Sequence, residues 1–165
     1  MSEFVSIYET PAMKIKVPFF RQEKDTTCGV ACLRMVLAYF GKEVEEFELE
    51  DACQTSWLGN VCGELLQGGV EFGFEGEEFE NVDLEYVSGS LVKGFPLIAL
   101  VDPAVLYGGI EGFGHFVVIT GIEGDSVSYH DPDLNGELSR AAAEFLSAWG
   151  RRSYKGVRLW KSLKK

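Results

Sequence analysis

The sequence lacks any long uninterrupted run of apolar residues, and none approaches the roughly eighteen that a membrane-spanning helix requires. Residues 1–10 also lack the basic start and the apolar middle of a secretory signal peptide. Cysteine is scarce, with four residues in 165. Without an export signal these cysteines are expected to be free thiols rather than a disulfide framework. Together these absences predict a cytoplasmic protein with no membrane partner.

Acidic residues are missing after Glu144, where seven basic residues stand alone. Residues 1–150 carry 8 basic against 26 acidic side chains, a charge of −18, while the tail carries +7. Such an acidic body repels phosphate groups at long range, which argues against a nucleic-acid partner. Because Val157 and Trp160 interleave the tail's charges, residues 151–165 are predicted to form a basic final strand and tail.

The composition is otherwise that of a folded protein of ordinary size. With 46% hydrophobic and 13% aromatic residues in 165, the chain is long enough to bury a core. It is expected to form a single domain over residues 1–165, in which residues 1–13 are a weakly ordered leader.

The most informative stretch is residues 22–41, a polar loop that runs into an apolar helix and ends in glycine. Asp25, Thr26 and Thr27 each suit the helix N-cap. The apolar residues that follow have helical spacing and predict one buried face: Cys32, Leu33, Val36, Leu37 and Phe40. Cys28 falls in the first turn, where unpaired backbone N–H groups and the helix dipole favour a thiolate. A nucleophile requires such surroundings.

Two further helices are predicted in the first half of the chain. Residues 43–53 are rich in acids, which are expected to form a solvated face, with Phe47 and Ala52 near the core. A third helix is predicted over residues 60–67, ended by the glycine pair at 68–69.

The second half of the chain reads as a sheet with one short helix before it, at residues 84–93. The continuous apolar run at 95–101 predicts a central strand. Asp102 and Pro103 are predicted to turn the chain, and residues 107–114 contain too many glycines for regular structure, so residues 102–114 predict a flexible loop that borders a site. This loop delivers His115 to the head of a β-branched strand at 116–122.

The strand after His115 returns through a loop at 123–125 into a strand at 126–130, and their register decides which acid meets the histidine. With a two-residue loop, Asp131 would point to the opposite side of the sheet from His115. With a three-residue loop it would lie on the same face, diagonal to His115 and roughly 7–8 Å away. We predict three residues. Asp133 would then lie directly across from His115 and is the alternative orienting acid.

The chemistry that these residues could perform is acyl transfer through a thiol. His115 could hold Cys28 as a thiolate and protonate the leaving amine, because imidazole titrates near neutral pH. Asp131 would fix the tautomer of His115 and stabilise its cation. The backbone N–H of Cys28 and the side-chain amide of Gln22 would donate to the oxyanion that forms on attack.

The order of Gln22, Cys28, His115 and Asp131, with the local sequences around them, resembles the papain-like cysteine peptidases. The similarity is greatest to stand-alone relatives of the double-glycine leader peptidase family, which processes bacteriocins. It covers most of the chain. The resemblance implies Gln22 as oxyanion donor, Cys28 as nucleophile, His115 as base and Asp131 as its orienting acid. Thr27 departs from the family, which usually has aspartate before its cysteine.

The resemblance implies an α+β fold, in which a helical N-terminal half with the cysteine helix packs on an antiparallel sheet that carries histidine and aspartate. The cleft would lie between the two layers. The expected activity is hydrolysis of a peptide or amide bond without cofactor or metal. Cleavage after a double glycine is not implied, because no transporter segments follow in the chain.

Three alternatives stay open. The same fold could act as an acyltransferase or as a non-catalytic binding module. A zinc site is a further alternative, for which the candidate ligands are Cys28, Cys32, Cys53, Cys62 and His115. Finally, His130 is a rival base, because it adjoins Asp131. The oligomeric state cannot be read from these patterns.

Overall fold

A computed structural model describes residues 12–162, which form six helices and seven strands. The helices are α1 (Cys28–Tyr39), α2 (Glu46–Ala52), α3 (Cys62–Glu71), α4 (Leu84–Val92), α5 (Pro103–Tyr107) and α6 (Ala142–Gly150). The strands are β1 (Met13–Lys14), β2 (Phe74–Phe79), β3 (Leu97–Val101), β4 (His115–Glu123), β5 (Ser126–His130), β6 (Glu137–Ala141) and β7 (Gly156–Lys161). Within residues 12–162, no helix has the length and apolarity to cross a membrane.

The strands form one antiparallel sheet in the order β2-β7-β3-β4-β5-β6, and β1 pairs separately with β4. The predicted α+β class is therefore confirmed. The final strand predicted in the basic tail is β7, which lies between β2 and β3 in the sheet. Most of the predicted leader, residues 1–11, lies outside the described residues, as do residues 163–165 of the tail.

Helix α1 packs on one face of the sheet, as its apolar stripe predicts. Cys32, Leu33, Val36 and Leu37 are buried against the even-numbered residues of β4, Phe116 and Val118. Helices α2 and α3 complete this layer through buried leucines. The first of the two layers expected from the sequence is thus present, and the helix that begins with Cys28 lies directly on the sheet.

The opposite face of the sheet is also covered by helices, which the two-layer prediction did not include. Val117 and Ile119 of β4 pack there with Phe145 and Trp149 of α6 and with the buried side of α4. The molecule therefore has three layers. The strands are buried on both faces, which explains why β3 and β4 are continuous apolar runs rather than alternating ones.

Helix α3 does not end at its glycine pair, contrary to the prediction for residues 68–69. Both glycines lie inside the helix and are buried. A Cβ atom on Gly68 would overlap Sγ of Cys53, and one on Gly69 would lie 2.9 Å from Leu159 Cδ2. These glycines allow α3 to approach α2 and β7 closely, so packing rather than helix termination explains them.

The hairpin between β4 and β5 has a shorter turn than predicted, but Asp131 still lies on the predicted face of the sheet. Glu123 pairs with Ser126, so the turn has two residues, not three. A β-bulge between Ile119 and Gly121 inserts Thr120, however, and shifts the register by one residue. Val118 therefore pairs with His130, and the same register places Asp131 on the face of the sheet that His115 occupies.

The segment at residues 102–114 is not a loop throughout, because it begins with α5. Asp102 caps this helix by accepting a hydrogen bond from Ala104 N at 3.0 Å, and Pro103 fits the first helical position. The other carboxylate oxygen of Asp102 accepts from Gly112 N at 3.1 Å, which holds the remaining glycine-rich loop at its base. This loop leads directly into His115.

Candidate active site

Cys28 is the first residue of α1 and is partly buried beside the start of β4. The close approach depends on Gly29, whose position leaves no room for a side chain. A Cβ atom there would lie 3.1 Å from both Leu65 Cδ2 and Phe116 Cδ2. Since Phe116 follows His115 in β4, this packing brings Cys28 to the histidine, and their side chains are hydrogen bonded.

His115 connects Cys28 to a buried carboxylate. Its Nε2 lies 2.7 Å from Oδ1 of Asp131, which leaves Nδ1 for Cys28. Asp133, the alternative acid, contributes only its backbone N–H, which donates to the same Oδ1 at 2.9 Å. The structure therefore brings Cys28, His115 and Asp131 together in one hydrogen-bonded series and leaves the Asp133 side chain exposed.

The electrostatics of this pair favour an imidazolium beside a carboxylate. Burial lowers the pKa of His115, but the hydrogen bonds with Asp131 and Cys28 outweigh burial and raise that pKa to about 10. For Asp131, burial raises the pKa, whereas the hydrogen bonds from His115, Tyr107 and Asp133 hold it below the usual value. The charged form of the pair is thus stabilised across neutral pH.

Gln22 is held near these residues by its backbone. Its N–H donates to Pro132 O at 2.8 Å, so the loop before α1 is joined to the segment that carries Asp131. The side-chain Nε2 donates to Lys24 O at 2.9 Å. An amide nitrogen carries two hydrogens, so one donor of Gln22 remains for a ligand.

Thr27 occupies the N-cap position of α1, but its side chain does not cap the helix. Its hydroxyl instead donates to Lys24 O at 2.9 Å and accepts from Lys24 N at 3.0 Å. Thr27 is fully buried and closes the loop that begins at Gln22. The departure from aspartate noted in the sequence therefore changes the capping and leaves an ordered loop.

Sequence reasoning missed Glu46, which supports the same loop from α2. Glu46 is 1% exposed and accepts hydrogen bonds from Glu23 N at 3.0 and 3.3 Å. Burial raises its pKa, and the hydrogen bonds from Glu23 N partly oppose this rise. The prediction for this helix was wrong in two respects: Glu46 is buried, while Phe47 is 70% exposed. No sequence signal distinguishes Glu46 from its neighbouring acids.

The other three cysteines lie in the hydrophobic core, away from His115. Cys32, Cys53 and Cys62 are buried in the hydrophobic core. Burial raises the pKa of Cys53 to about 12 and that of Cys62 to about 11, with further contributions from nearby glutamates. Among residues 12–162, no three His, Cys, Asp or Glu side chains converge as a metal ion would require. The zinc alternative therefore finds no ligand set in this part of the chain.

His130, the rival base, is occupied elsewhere. It is 5% exposed, its Nε2 lies 2.8 Å from Val17 O, and its ring packs edge-on against Phe19. These contacts attach the segment before Gln22 to the end of β5. They argue for a structural histidine and leave His115 as the histidine that meets Cys28.

Two loops that adjoin the elements of the site carry exposed apolar side chains. Trp57 and Leu58 lie on the loop whose Gly59 approaches Thr26 O, and Ile110 and Phe113 lie on the loop before His115. A pocket of about 320 Å³ adjoins the histidine on the Asp131 side. Its lining consists of Pro103, Tyr107, His115, Asp131, Asp133 and Leu134.

Comparisons with known proteins agree with this geometry. A profile of the Peptidase C39 family matches residues 16–153. The Lactococcin-G-processing and transport ATP-binding protein LagD of Lactococcus lactis is 27% identical over 134 residues, which are 81% of this chain and 18% of LagD. The transport/processing ATP-binding protein ComA of Streptococcus pneumoniae is 30% identical over 140 residues, 83% of this chain and 18% of ComA. The chain thus spans about a fifth of the length of these relatives.

Solved structures of similar fold include a C39-like peptidase from Bacillus anthracis, with a TM-score of 0.77 over 93% of this chain and 99% of that one, at 18% identity. A double glycine motif protease from an AMS/PCAT transporter, solved with a leader peptide, is 27% identical with a TM-score of 0.66, covering 89% of this chain and 91% of that one. The first likeness concerns the fold alone. The profile match and the second likeness concern the sequence as well, and the chain belongs to the Peptidase C39 family, a family of cysteine peptidases.

Proposed function

We propose that this domain hydrolyses a peptide bond by means of Cys28, His115, Asp131 and Gln22. The observation that carries the proposal is the hydrogen-bonded series from Cys28 through His115 to the buried carboxylate of Asp131. No other cysteine among residues 12–162 combines a helix N-terminus with a histidine partner.

In the proposed reaction, His115 takes the thiol proton of Cys28, and the thiolate sulfur attacks the carbonyl carbon of the substrate. A tetrahedral intermediate with a negatively charged oxygen forms. When the carbon–nitrogen bond breaks, His115 gives its proton to the leaving amine, and a thioester remains on Cys28. Water then attacks the thioester while His115 accepts its proton. The carbon–sulfur bond breaks, which releases the carboxylic acid and leaves the Cys28 thiolate beside protonated His115, and return of that proton to the sulfur restores the starting state.

The developing oxyanion would be stabilised by two donors. As the first residue of α1, Cys28 has a backbone N–H without an intrahelical partner. Gln22 provides the second donor through the Nε2 hydrogen that Lys24 O does not occupy. Gln22 belongs to the loop held by Thr27 and Glu46, and Cys28 follows that loop directly, so both donors are fixed before the substrate binds.

The substrate is proposed to be a peptide whose side chains near the cleaved bond are apolar. Trp57 and Leu58 are exposed on the loop before α3, and Ile110 and Phe113 are exposed on the loop that leads into His115. The net charge of −11 disfavours acidic peptides at long range. A related protease binds a leader peptide, which supports the peptide class, and the residues of these two loops would set the preferred sequence.

The test is the rate at which iodoacetamide alkylates each cysteine between pH 5 and 9, measured by mass spectrometry on the intact protein. Cys28 is expected to react faster than the other cysteines at pH 6–7, because it is only partly buried and contacts His115. Cys53 and Cys62 serve as internal controls, since burial raises their pKa values to about 12 and 11.

The matched variants are His115→Ala and His130→Phe. His115→Ala is expected to remove the low-pH reactivity of Cys28, whereas His130→Phe, in a folded protein, is expected to retain it. Equal and slow labelling of all four cysteines in the wild type would contradict the proposed nucleophile. A positive result justifies a peptide-library screen, in which Cys28→Ala must abolish cleavage.

A further inference from the structure

We propose that Tyr107 is a positioning residue, which fixes the carboxylate of Asp131 and acts on the reaction only through it. The inference rests on the proposed function and adds a fourth side chain behind Asp131. Tyr107 is the last residue of α5, a helix in a segment where the sequence predicts only a glycine-rich loop. Its hydroxyl lies 2.7 Å from Asp131 Oδ2.

The two oxygens of Asp131 have separate donors. Oδ1 accepts from His115 at 2.7 Å and from Asp133 N at 2.9 Å, and Oδ2 accepts from the Tyr107 hydroxyl. Asp131 is 1% exposed and shares with Tyr107 the pocket of about 320 Å³ beside His115. Without Tyr107, Oδ2 would be a buried carboxylate oxygen with no protein donor, a costly arrangement that rotation of the side chain would relieve. Such a rotation would move Oδ1 away from His115.

The Tyr107 hydroxyl is itself held in place. It lies 2.9 Å from the hydroxyl of Tyr129, which is fully buried in β5. Since the single proton of Tyr107 goes to the carboxylate, Tyr129 is the donor in this second bond. The Arg140 guanidinium lies over the Tyr107 ring, 5.4 Å from its centroid. Tyr129, Tyr107, Asp131 and His115 therefore form a directed series of hydrogen bonds that ends at Cys28.

This series predicts a specific pH effect. The Tyr107 bond stabilises the ionised form of Asp131, so its loss lets Asp131 take up a proton at higher pH. A protonated Asp131 no longer supports the imidazolium that holds Cys28 as a thiolate. In Tyr107→Phe, the acid limb of the profile of Cys28 alkylation against pH is expected to move upward by about one pH unit.

Tyr86→Phe is the matched control. Tyr86 is less exposed than Tyr107, which is 39% exposed, and its hydroxyl likewise donates to a carboxylate, Glu77 Oε1, at 2.8 Å, but it lies in α4, away from His115. This variant is expected to leave the alkylation profile unchanged. Tyr129→Phe, which removes the donor to Tyr107, is expected to shift the acid limb in the same direction by a smaller amount. This variant replaces Tyr107→Phe as the test if Tyr107→Phe does not fold.

A double-mutant cycle separates positioning from general stability. In an Asp131→Asn background, Tyr107→Phe is expected to cause no further shift, because its effect passes through the carboxylate. An unshifted acid limb in both Tyr107→Phe and Tyr129→Phe overturns the inference, as does a shift that persists in Asp131→Asn. If wild-type Cys28 itself shows no low-pH reactivity, the proposed function fails before the role of Tyr107 is tested.

Discussion

His115 Nε2 lies 2.7 Å from Asp131 Oδ1, whereas Asp133, two residues later, meets the same oxygen only through its backbone N–H. This difference allows the two acids to be separated by experiment. Both follow β5 and both were candidate partners of the histidine. Only Asp131 has its side chain buried against the imidazole.

The first prediction concerns catalysis. Asp131→Asn is expected to lower kcat/KM for a cleaved peptide by about 10²–10⁴-fold, because a neutral amide stabilises the His115 cation less than a carboxylate does. Asp133→Asn is the control and is expected to change kcat/KM by less than about threefold, since the backbone donor remains. Similar losses of kcat/KM in the two variants would show that catalysis does not depend specifically on the hydrogen bond between His115 and Asp131.

The second prediction concerns stability at acid pH. Hydrogen bonds hold the pKa of Asp131 in the folded protein below its value in the unfolded chain. Its contribution to stability is therefore present above the unfolded value, about 3.9, and is lost as pH falls through the lower folded value. The difference in unfolding free energy between wild type and Asp131→Asn should decrease from pH 6 to pH 3, as measured by urea unfolding. A difference that is independent of pH would contradict this linkage.

The meeting of His115 and Asp131 was predictable from the sequence only in part. Side chains alternate between the two faces of a strand. His115 and Asp131 are therefore predicted to share a face only if the pairing of β4 with β5 places Asp131 opposite Val117. The register depends on a bulge at Thr120, which compensates a turn one residue shorter than predicted. Gly121, an isolated glycine inside the run from Val117 to Ile122, is a sign of a bulge or of a close backbone approach, but it does not show which of the two occurs or how the register shifts.

Other parts of the site depend on tertiary contacts that have no local pattern. Tyr107 lies in a segment predicted to be a glycine-rich loop, and Glu46 lies on a helix whose acids were predicted to face solvent. Both nevertheless form hydrogen bonds at the site. By contrast, the cysteine helix, the strand after His115 and the α+β class follow from spacing and are confirmed. Local periodicity thus predicts the elements, while the partners of buried polar groups are decided by how those elements pack.

The third prediction concerns Gln22. Gln22→Met keeps the length of the side chain but removes its donors, and it is expected to lower kcat by about 10²-fold with little change in KM. The reason is that an oxyanion exists only in the transition state and the intermediate. Cys28 alkylation should be retained in this variant, because the thiolate does not depend on the amide. A large rise in KM with unchanged kcat would instead assign Gln22 to substrate binding.

The fourth prediction concerns the glycines of the helices. Gly68→Ala in α3 is expected to destabilise the protein by about 1–3 kcal/mol, because the added methyl group overlaps Cys53 Sγ. Gly89→Ala in α4 is the control, since no atom lies within 4 Å of its Cβ position. It is expected to stabilise the protein by about 0.5–1 kcal/mol through helix propensity. Thermal unfolding of both variants tests whether the glycine pair is required for packing.

The last prediction concerns Glu46, the buried acid beneath the loop that carries Gln22 and Cys28. Burial raises its pKa, and the neighbouring Glu23 and Glu50 raise it further, whereas the hydrogen bonds from Glu23 N lower it. A group whose pKa is raised by folding contributes full stability below its unfolded value, about 4.3, and loses that contribution as pH rises through the folded value. The wild type should therefore lose stability over this interval.

Glu46→Gln removes this titration while its Oε1 can still accept from Glu23 N. The variant is expected to gain stability relative to wild type as pH rises from 4 to 7, as measured by urea unfolding at each pH. Glu46→Ala leaves Glu23 N without its acceptor and is expected to be less stable than Glu46→Gln by about 1–3 kcal/mol at every pH. If the two variants had equal stability, the hydrogen bonds from Glu46 would not hold the loop. The order of Gln22 and Cys28 would then have to come from Thr27 and the bonds to Lys24 alone.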